Sequence, residues 1–316
     1  MWLILDRPGL RLDYERAALR VRESGKPPRT VPLRQVERLV AGPRLELSAG
    51  VLGALAAHGV SLVVINHRHP DRTAELVAHE AANARRRLAQ YAFLRAEANR
   101  LIWARAVVGL KVQRQADFLA RARHARPDVG LGGVLGRLHA IQASLAEPAM
   151  PPSLATLRGL EGAAAAAYFE GYPRLFAPAL GFTQRRRRPP TDPVNACLSL
   201  GYTLLHAEAA NAARAAGLDP LLGGFHEPAH GQNALASDLI EPLRPVLDAW
   251  VWSLFREGAL RVEHFRHEEG ACLLQRHAQT VFYEAAQRRM RVWRRVLRRY
   301  ARGFVAGLPD SGEWAA

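Results

Sequence analysis

The residues that could do chemistry are concentrated in one segment, "LGGFHEPAHGQNALASDLIEPLRP" at 222–245. The segment holds His226 and His230 in a loop that follows two glycines, and then Asp238 and Glu241. A neutral imidazole is a good ligand for a transition metal and can exchange protons near neutral pH. Carboxylates at positions i and i+3 of a helix project from one face and can share a hard cation. The segment is therefore a candidate site for a divalent metal, and the alternative for each loop histidine is an ordinary surface residue.

Prolines complicate the local structure of the same segment. Pro242 and Pro245 follow the carboxylates, and a proline inside a helix removes a hydrogen bond and kinks the helix. Two local structures remain open: a bent helix, or a turn that leads into a helix beginning near Pro242. A helix start would also give the acidic pair a purely structural alternative, because carboxylates in a first turn complement the helix dipole.

Glu161 is a further candidate, in the stretch "LRGLEGAAAAAYFEGY". It lies just before a run of alanines, and small residues let another helix pack closely. We therefore expect Glu161 to start a tightly packed, largely buried helix. A buried carboxylate has to be paired or to bind metal, because an isolated buried charge is too costly. The alternative is a solvent-exposed glutamate at a helix N-terminus.

Two kinds of element must position these residues. Residues 1–78 contain short β-branched or alternating runs separated by turn signals, with one helix capped by Ser48 and stopped by Gly59. The pattern changes near residue 79, and helical spacing of apolar residues dominates the rest of the chain. The predicted fold is α+β, with a small β-rich, β-sandwich-like N-terminal domain over 1–78, a linker over 79–84 and a larger all-α domain over 85–316.

The charge of the chain predicts an anionic partner. Its formal net charge is +15 and its pI is near 11, and nucleic acid is the commonest partner of such proteins. An arginine-rich composition from a GC-rich genome is the alternative explanation. A basic loop and a C-terminal amphipathic helix could both present arginines to phosphates. The candidate DNA-contacting residues are Arg185, Arg186, Arg187, Arg188, Arg288, Arg291, Arg294, Arg295 and Arg298.

Several classes of protein are excluded. The two cysteines, Cys197 and Cys272, are too few for a disulfide framework or a four-cysteine zinc site. The apolar run at the N-terminus is too short for a signal peptide, and no apolar stretch approaches the length of a membrane span. We therefore expect a cytoplasmic protein without a membrane partner.

Four motifs, in order along the chain, resemble those of the CRISPR-associated spacer-acquisition integrases, the endonuclease/integrase family of CRISPR adaptation in prokaryotes. They are "LRGLEGAAAAAYF", "DPVNACLSLGYTLL", "AAGLDPLLGGFH" and "ALASDLIEPLRPVLD". The resemblance covers nearly the whole chain. It implies that Mg²⁺ or Mn²⁺ is bound by Glu161, His226 and Asp238. It also implies a supporting catalytic role for Glu241, and roles beside the site for Asn195 and Tyr202.

The chain departs from the family pattern in two places. The usual Gly-Phe-Leu-His is "GGFH" here, and "GQNALAS" lacks the arginine that the family has before the aspartate. His230 matches no ligand position of the family. All three expected ligands are present, so the resemblance still implies an active enzyme.

The resemblance implies an activity and partners. The family inserts short foreign DNA fragments, called spacers, into a CRISPR array by transesterification from a 3′-hydroxyl at repeat ends, and with water the same site acts as an endonuclease. The implied partners are double-stranded DNA, a second copy of the chain joined through the β-rich domain, and a small ferredoxin-like CRISPR-associated protein. The alternatives are a casposon-type integrase of a mobile element, a non-catalytic DNA-architectural protein and a metal-dependent RNase.

Overall fold

The computed structural model describes residues 1–66, 73–76, 83–147, 153–187, 189–229 and 232–309. The N-terminal part is rich in strands and the remainder is mainly helical, so the predicted α+β class is confirmed. His230, Arg188 and most of the predicted linker lie outside the described residues.

The N-terminal strands form two four-stranded sheets. The first has the order β1 (Trp2–Leu5), β5 (Arg38–Ala41), β7 (Ser61–Val64) and β8 (Ala74–Leu76). The second has the order β4 (Arg29–Pro32), β3 (Ala18–Glu23), β2 (Leu10–Glu15) and β6 (Glu46–Leu47). Strands β1, β5 and β7 are parallel, unlike the antiparallel strands of the usual sandwich. The sandwich-like packing therefore stays a prediction.

Helix α1 (Ala49–Ala57) of the N-terminal part has the bounds that its sequence signals predict. Ser48 stands at its N-cap position, although its side chain makes no capping hydrogen bond, and the chain turns at Gly59 with a φ of 66° that favours glycine. Leu55 of this helix joins a core that both sheets share, with Leu12 and Leu39 among its fully buried members.

The first sheet is buried on both faces. Successive residues of a strand point to opposite faces, and on β5 Leu39 joins the N-terminal core while Val40 joins the core of the helical part. Trp2 and Val63 also belong to the helical core. In parallel strands that are covered on both faces, the side chains that point to either face are apolar. The two parts of the chain therefore pack against each other through this sheet, and a division at residues 78–84 stays a prediction.

The helical part is built around a buried helix, α6. The helices in the described ranges after α1 are α2 (Ala84–Arg95), α3 (Glu97–Ala125), α4 (Gly132–Ala146), α5 (Leu154–Gly171), α6 (Pro193–Ala215), α7 (Ala234–Ile240), α8 (Arg244–Arg256) and α9 (Arg276–Ala306). Most residues of α6 are buried, as expected for a helix with few polar positions. None of these helices is long and apolar enough to cross a membrane.

The predicted all-α character of the second domain is wrong in one detail. Strands β9 (Phe265–Glu268) and β10 (Ala271–Leu274) form an antiparallel hairpin. The two residues between them, Glu269 and Gly270, have φ values of 51° and 78°. Positive φ at both central positions is typical of the type I′ turns that close tight hairpins.

Candidate active site

The chain passes from one helix to the next at the acidic pair, Asp238 and Glu241. Helix α7 ends at Ile240, residues Glu241–Leu243 form one 3-10 turn, and α8 begins at Arg244. Pro245 lies in the first turn of α8, where the missing N–H leaves no bond unmade. Of the two predicted local structures, the turn into a new helix is therefore the one present. Asp238 lies in the second half of α7, so it does not complement a helix start.

Asp238 is fully buried, and donors surround its carboxylate. Oδ2 accepts hydrogen bonds from the backbone N–H of Gly224 at 2.8 Å and of Phe225 at 3.0 Å, and from Trp103 Nε1 at 2.9 Å. Oδ1 accepts from His226 N at 3.0 Å and His226 Nδ1 at 2.7 Å. A carboxylate has about four lone-pair sites, so these five donors leave no site for a metal. The geometry therefore opposes Asp238 as a ligand.

The loop before His226 comes close to its neighbours because two glycines allow it. A Cβ added at Gly223 would lie 2.8 Å from the Ala234 backbone and from Asp238 Oδ2. A Cβ added at Gly224 would lie 2.6 Å from Trp103 Cδ1. Side chains essentially never make such contacts, so the "GGFH" loop can wrap the Asp238 carboxylate only with glycine at both positions.

The other candidate groups face a cleft of about 180 Å³. Asp238 does not line it. The charged and polar side chains that do include Lys111, Gln115, Glu161, Arg185, Arg187, Tyr202, His226, Glu241, Arg244 and Asp248.

Two carboxylates converge on one cation in this cleft. The ammonium of Lys111 forms ion pairs with Oε1 of Glu161 and Oε2 of Glu241. Oε1 of Glu241 accepts a hydrogen bond from Arg244 Nε at 2.7 Å and lies 3.7 Å from His226 Nε2. Because His226 Nδ1 donates to Asp238, Nε2 carries the lone pair of the ring, and that lone pair lies on the side of Glu241. The site therefore brings together Glu161, His226 and Glu241.

Glu161 occupies a different position from the expected one. Helix α5 begins at Leu154, after Ser153 caps it by accepting a hydrogen bond from the N–H of Thr156. Glu161 thus lies in the middle of the helix, and its side chain is 24 % exposed. The expectation of a largely buried helix start is wrong, because Ser153 supplies an earlier cap and the side chain points into an open cleft.

Glu241 is ionised at neutral pH despite being buried. Burial opposes its charge, but the nearby Arg244 and Lys111 more than offset that effect and lower its pKa to about 2. The same pairing raises the pKa of Arg244, although burial opposes it.

The donor set fits a hard divalent cation in one respect and resists it in another. Two carboxylates and an imidazole suit Mg²⁺ or Mn²⁺. In the ranges that the structure describes, however, no three His, Cys, Asp or Glu side chains are grouped closely enough to hold a metal ion as they stand. The ammonium of Lys111 lies between the two carboxylates. A divalent ion would therefore have to replace it.

A tyrosine beside the carboxylates holds two guanidinium groups. Arg244 and Arg185 lie over the ring of Tyr202, with centroid distances of 4.9 Å and 5.5 Å. The Tyr202 hydroxyl donates to Asp248, which also accepts from Tyr168 at 3.0 Å. Burial raises the pKa of Asp248 to about 6, although both hydrogen bonds act against the rise.

Asn195 anchors the loop that carries Arg185, Arg186 and Arg187 to α6. Its Oδ1 accepts hydrogen bonds from Arg185 Nη1 at 2.8 Å and from the backbone N–H of Arg186 at 2.9 Å. Its amide donates to the backbone oxygen of Gln184 at 2.9 Å. Arg185 is thereby drawn into the cleft, while Arg186 and Arg187 are exposed. Asn195 thus supports the cleft wall and Tyr202 lines it, as the family resemblance implied.

The arginines of α9 do not all face solvent. Arg288, Arg291, Arg295 and Arg298 are exposed. Arg294 instead donates to both oxygens of Glu208 at 3.0 Å, and its Nη1 lies 3.5 Å from Glu37. The structure therefore opposes the expected DNA contact of Arg294, because a guanidinium matched to a carboxylate has its donors already occupied.

Sequence reasoning missed Lys111, Arg244, Asp248 and Trp103. One signal could have found the first of these. Lys111 and Gln115 fall at helical spacing on the stripe of α3 that otherwise holds buried apolar residues such as Val108 and Phe118. A lysine on an apolar stripe needs a partner. No comparable local pattern marks Asp248.

Acidic groups, an imidazole and arginines in one cleft are typical of enzymes that act on phosphodiesters. A family model described as "CRISPR associated protein Cas1" matches residues 3–288. The chain therefore belongs to the Cas1 family, which confirms the resemblance inferred from its motifs.

Curated relatives agree with this assignment. The chain is 29 % identical over 310 residues to "CRISPR-associated endonuclease Cas1 1" of Thermodesulfovibrio yellowstonii, covering 96 % of each chain. It is 36 % identical over 282 residues to "CRISPR-associated endonuclease Cas1 1" of Thermus thermophilus, covering 87 % of this chain and 82 % of that protein.

Solved structures share the fold. One titled "Casposase bound to integration product" superposes with a TM-score of 0.84 at 21 % identity, covering 96 % of this chain and 90 % of the other. A chain of a "Cas6-RT-Cas1--Cas2 complex" superposes with a TM-score of 0.81 at 21 % identity, covering 97 % of this chain and 34 % of the other.

Proposed function

We propose that this chain is a divalent-metal-dependent DNA endonuclease and integrase that inserts short foreign DNA fragments into a CRISPR array. The single observation that supports this most is the convergence of Glu161, Glu241 and His226 Nε2 in a cleft rich in arginine. Relatives named Cas1 endonucleases, over most of the chain, support the same activity.

The proposed ligands of Mg²⁺ or Mn²⁺ are Glu161, His226 and Glu241. When bound, the cation would polarise the scissile phosphate and stabilise the leaving oxygen. Asp238 acts as a positioning residue: it accepts the Nδ1 proton of His226 and so directs the Nε2 lone pair into the cleft. This assignment exchanges the roles that the sequence resemblance gave to Asp238 and Glu241.

The proposed reaction needs little covalent chemistry from the protein. The 3′-hydroxyl oxygen of the incoming strand forms a bond to phosphorus at a repeat end, and the bond from phosphorus to the 3′-oxygen of the repeat strand breaks. The attacking hydroxyl loses its proton and the departing oxygen gains one. The chain contributes position and charge, through the carboxylates and the basic wall of the cleft.

We also propose that the chain acts with partners. They are double-stranded DNA, a second copy of the chain joined through the β-rich part, and a small ferredoxin-like CRISPR-associated protein. The solved Cas6-RT-Cas1--Cas2 complex supports the protein partner, and a casposase bound to an integration product supports DNA as the substrate. The casposase also supports a mobile-element integrase as the second candidate. Terminal inverted repeats beside the gene, instead of a CRISPR array, would favour that alternative.

Strand transfer is the experiment that tests the proposal. The purified chain, with and without its small partner, receives a labelled duplex with free 3′-hydroxyls and a plasmid that carries a repeat, in Mg²⁺, Mn²⁺ or EDTA. We expect joined product only with a metal, and its loss in Glu161→Ala, His226→Ala and Glu241→Ala. DNA binding without joining or cleavage in either metal would instead support an architectural protein. Preference for RNA would support an RNase.

A metal-preference measurement separates Glu241 from Asp238. An imidazole in place of a carboxylate disfavours Mg²⁺ relative to a transition metal. Glu241→His should therefore raise the ratio of activity in Mn²⁺ to activity in Mg²⁺. Asp238→Asn should lower activity in both metals by a similar factor, because it disturbs the His226 loop. If the ratio of activity in Mn²⁺ to activity in Mg²⁺ changed in Asp238→Asn but not in Glu241→His, Asp238 would be the metal ligand instead of Glu241.

A further inference from the structure

We propose that Arg244, oriented by Glu241 and Tyr202, binds one phosphate group of the DNA beside the carboxylates of the cleft. That the phosphate belongs to DNA rests on the proposed function. The site itself rests on the geometry of the arginine, on the charge of the cleft and on the way in which its neighbours are held.

Arg244 is fixed at two points and open at its end. Its Nε donates to Glu241 Oε1 at 2.7 Å, and its guanidinium lies 4.9 Å from the centre of the Tyr202 ring. Among the described residues no acceptor is hydrogen-bonded to either of its Nη atoms, and its side chain is 22 % exposed. An arginine whose Nη atoms remain available can bind two oxygens of one phosphate. Fixing the rest of the side chain lowers the entropy cost of that binding.

Tyr202 is itself held firmly. Its hydroxyl donates to Asp248, a buried carboxylate that also accepts from Tyr168. The second guanidinium on the ring, that of Arg185, donates to the backbone oxygen of Arg186, to Asn195 and to Ser199. Arg185 therefore contributes charge and stiffness, and Arg244 contributes the free donors.

The cleft carries more positive than negative charge. Among the described residues, four cationic side chains and three carboxylates line it, which leaves a surplus of one positive charge when His226 is neutral. A phosphodiester carries one negative charge, so a bound phosphate would balance the site. The residues counted are Lys111, Arg185, Arg187, Arg244, Glu161, Glu241 and Asp248.

The same helix supplies a matched control. Arg256, at the end of α8, lies 4.6 Å from the centre of the Trp252 ring, a stack like that of Arg244 on Tyr202. Its Nη2 donates to Glu257 at 3.0 Å, and it does not line the cleft. Replacing Arg256 removes an aromatic-stacked arginine from α8 without touching the proposed phosphate site.

The test is DNA binding measured in EDTA with neutral phosphate analogues. The probe is a synthetic branched duplex that imitates the joined strands, in which each of the three phosphates nearest the branch is replaced in turn by an uncharged methylphosphonate. We expect Arg244→Gln to weaken binding of the unmodified duplex at least tenfold. On one of the three modified duplexes the same substitution should cost less than twofold, because the phosphate that Arg244 binds has lost its charge.

Further variants separate binding from a structural role. Arg256→Gln should change the dissociation constant less than twofold on every duplex. Tyr202→Leu should approach the loss of Arg244→Gln, while Tyr202→Phe, which keeps the ring, should lose less. Arg244→Lys, which keeps the charge but not the fork, should fall between the wild type and Arg244→Gln. An equal loss in Arg244→Gln on all four duplexes, or no loss on any, would overturn the proposal.

The metal-free assay keeps two failures apart. If the wild-type chain neither cleaves nor joins DNA with metal, the proposed function fails, and the selective coupling of Arg244 to one phosphate can still be observed. If strand transfer occurs but Arg244→Gln shows no such coupling, only the phosphate site fails.

Discussion

Two clusters of arginine and glutamate side chains in the described part of the chain are built differently. The sheet–helix cluster, made of Glu37, Arg38, Glu208 and Arg294, joins the first sheet to α6 and α9. It pairs two cations with two carboxylates. Counting described residues alone, the candidate cleft sets four cations against three carboxylates.

Glu208 contacts both arginines of the sheet–helix cluster. Its side chain is 3 % exposed, accepts two hydrogen bonds from Arg294 at 3.0 Å, and lies 3.2 Å from Arg38 Nη1. In the cleft, by contrast, Glu161 and Glu241 share a lysine, and the Nη atoms of Arg244 have no hydrogen-bond acceptor in the part of the chain that the structure describes.

The contrast teaches that buried ion pairs do not by themselves mark a functional site. A cluster with equal numbers of cations and carboxylates contributes to the packing of two parts of the fold. A cluster with surplus positive charge and a lysine shared by two carboxylates can take up a ligand. Charge balance thus separates Arg294 from Arg244, although both are arginines beside a buried glutamate.

The largest effect is expected from breaking the sheet–helix cluster. Glu208→Ala leaves two guanidinium groups without their carboxylate, and removing one partner of a buried pair costs about 3–5 kcal/mol. Urea unfolding should show that loss in the free energy of unfolding, while the Mn²⁺ affinity of the folded protein stays unchanged. Glu37→Ala, whose side chain is 44 % exposed, should cost less than about 1 kcal/mol. A loss below about 1 kcal/mol in Glu208→Ala would contradict the structural role.

In the cleft, the effect of removing the charge of Glu241 on the free energy of unfolding should depend on pH. Because the pKa of Glu241 falls from 4.5 to about 2 on folding, its ionised form stabilises the fold above pH 4.5, and this is lost as the pH falls towards 2. The difference corresponds to about 3 kcal/mol at pH 7. The gap in unfolding free energy between wild type and Glu241→Gln should shrink by about 2 kcal/mol from pH 7 to pH 3.

Asp248 should change the unfolding free energy with pH in the direction opposite to Glu241. Its pKa rises from 3.8 to about 6 on folding, so its protonated form is favoured in the fold and its stabilisation is lost as the pH rises through 6. Asp248→Asn should therefore gain on the wild type as the pH rises from 4 to 7. Curves with the same slope for Glu241→Gln and Asp248→Asn would contradict the assigned charges.

A smaller effect should sharpen the role of the exchangeable cation. Lys111→Met removes the ammonium that lies between Glu161 and Glu241, so a divalent ion no longer has to displace it. We expect Mn²⁺ to bind about tenfold more tightly, a change of about 1.4 kcal/mol, as measured by titration calorimetry. Gln115→Met, in the same cleft one turn further along α3, should leave the affinity unchanged. Unchanged or weaker binding in Lys111→Met would show that the lysine does not compete.

The smallest effect concerns the arginines of α9. Each arginine that contacts a phosphate adds about one to the steepness with which DNA affinity falls with salt. Arg291→Gln should therefore reduce the slope of log affinity against log salt by about one. Arg294→Gln should leave the slope unchanged, because Glu208 already occupies its donors. Equal reductions in both variants would remove the distinction between paired and free arginines.

Local chemistry made part of the molecule predictable. Ser48 and Gly59 bracket a short helix because their backbone preferences act within a few residues, and α1 has those bounds. The order of four motifs was enough to indicate the family, which the family model confirms. The α+β class followed from the change of period along the chain.

Long-range contacts made the rest unpredictable. Asp238 and Glu241 share one helical spacing, so the sequence alone makes both eligible as ligands. Only the folding of the Gly224–His226 loop and of Trp103 around Asp238 distinguishes them. Lys111 reaches Glu161 and Glu241 from 50 and 130 residues away, a contact that no local period encodes. The β9–β10 hairpin was missed because its signal is only a two-residue turn between short strands.

The edge-to-face contact between Trp103 and Phe304 has a consequence for the order in which the cleft forms during translation. Their ring centroids are 4.7 Å apart, and the same indole holds the carboxylate that orients His226. A ribosome adds residues from the N-terminus, so Glu161, His226 and Glu241 are all present in the nascent chain before Phe304 is. The imidazole is fully braced only once α9 has docked. A chain still being translated thus carries the groups of the candidate cleft before it carries their support.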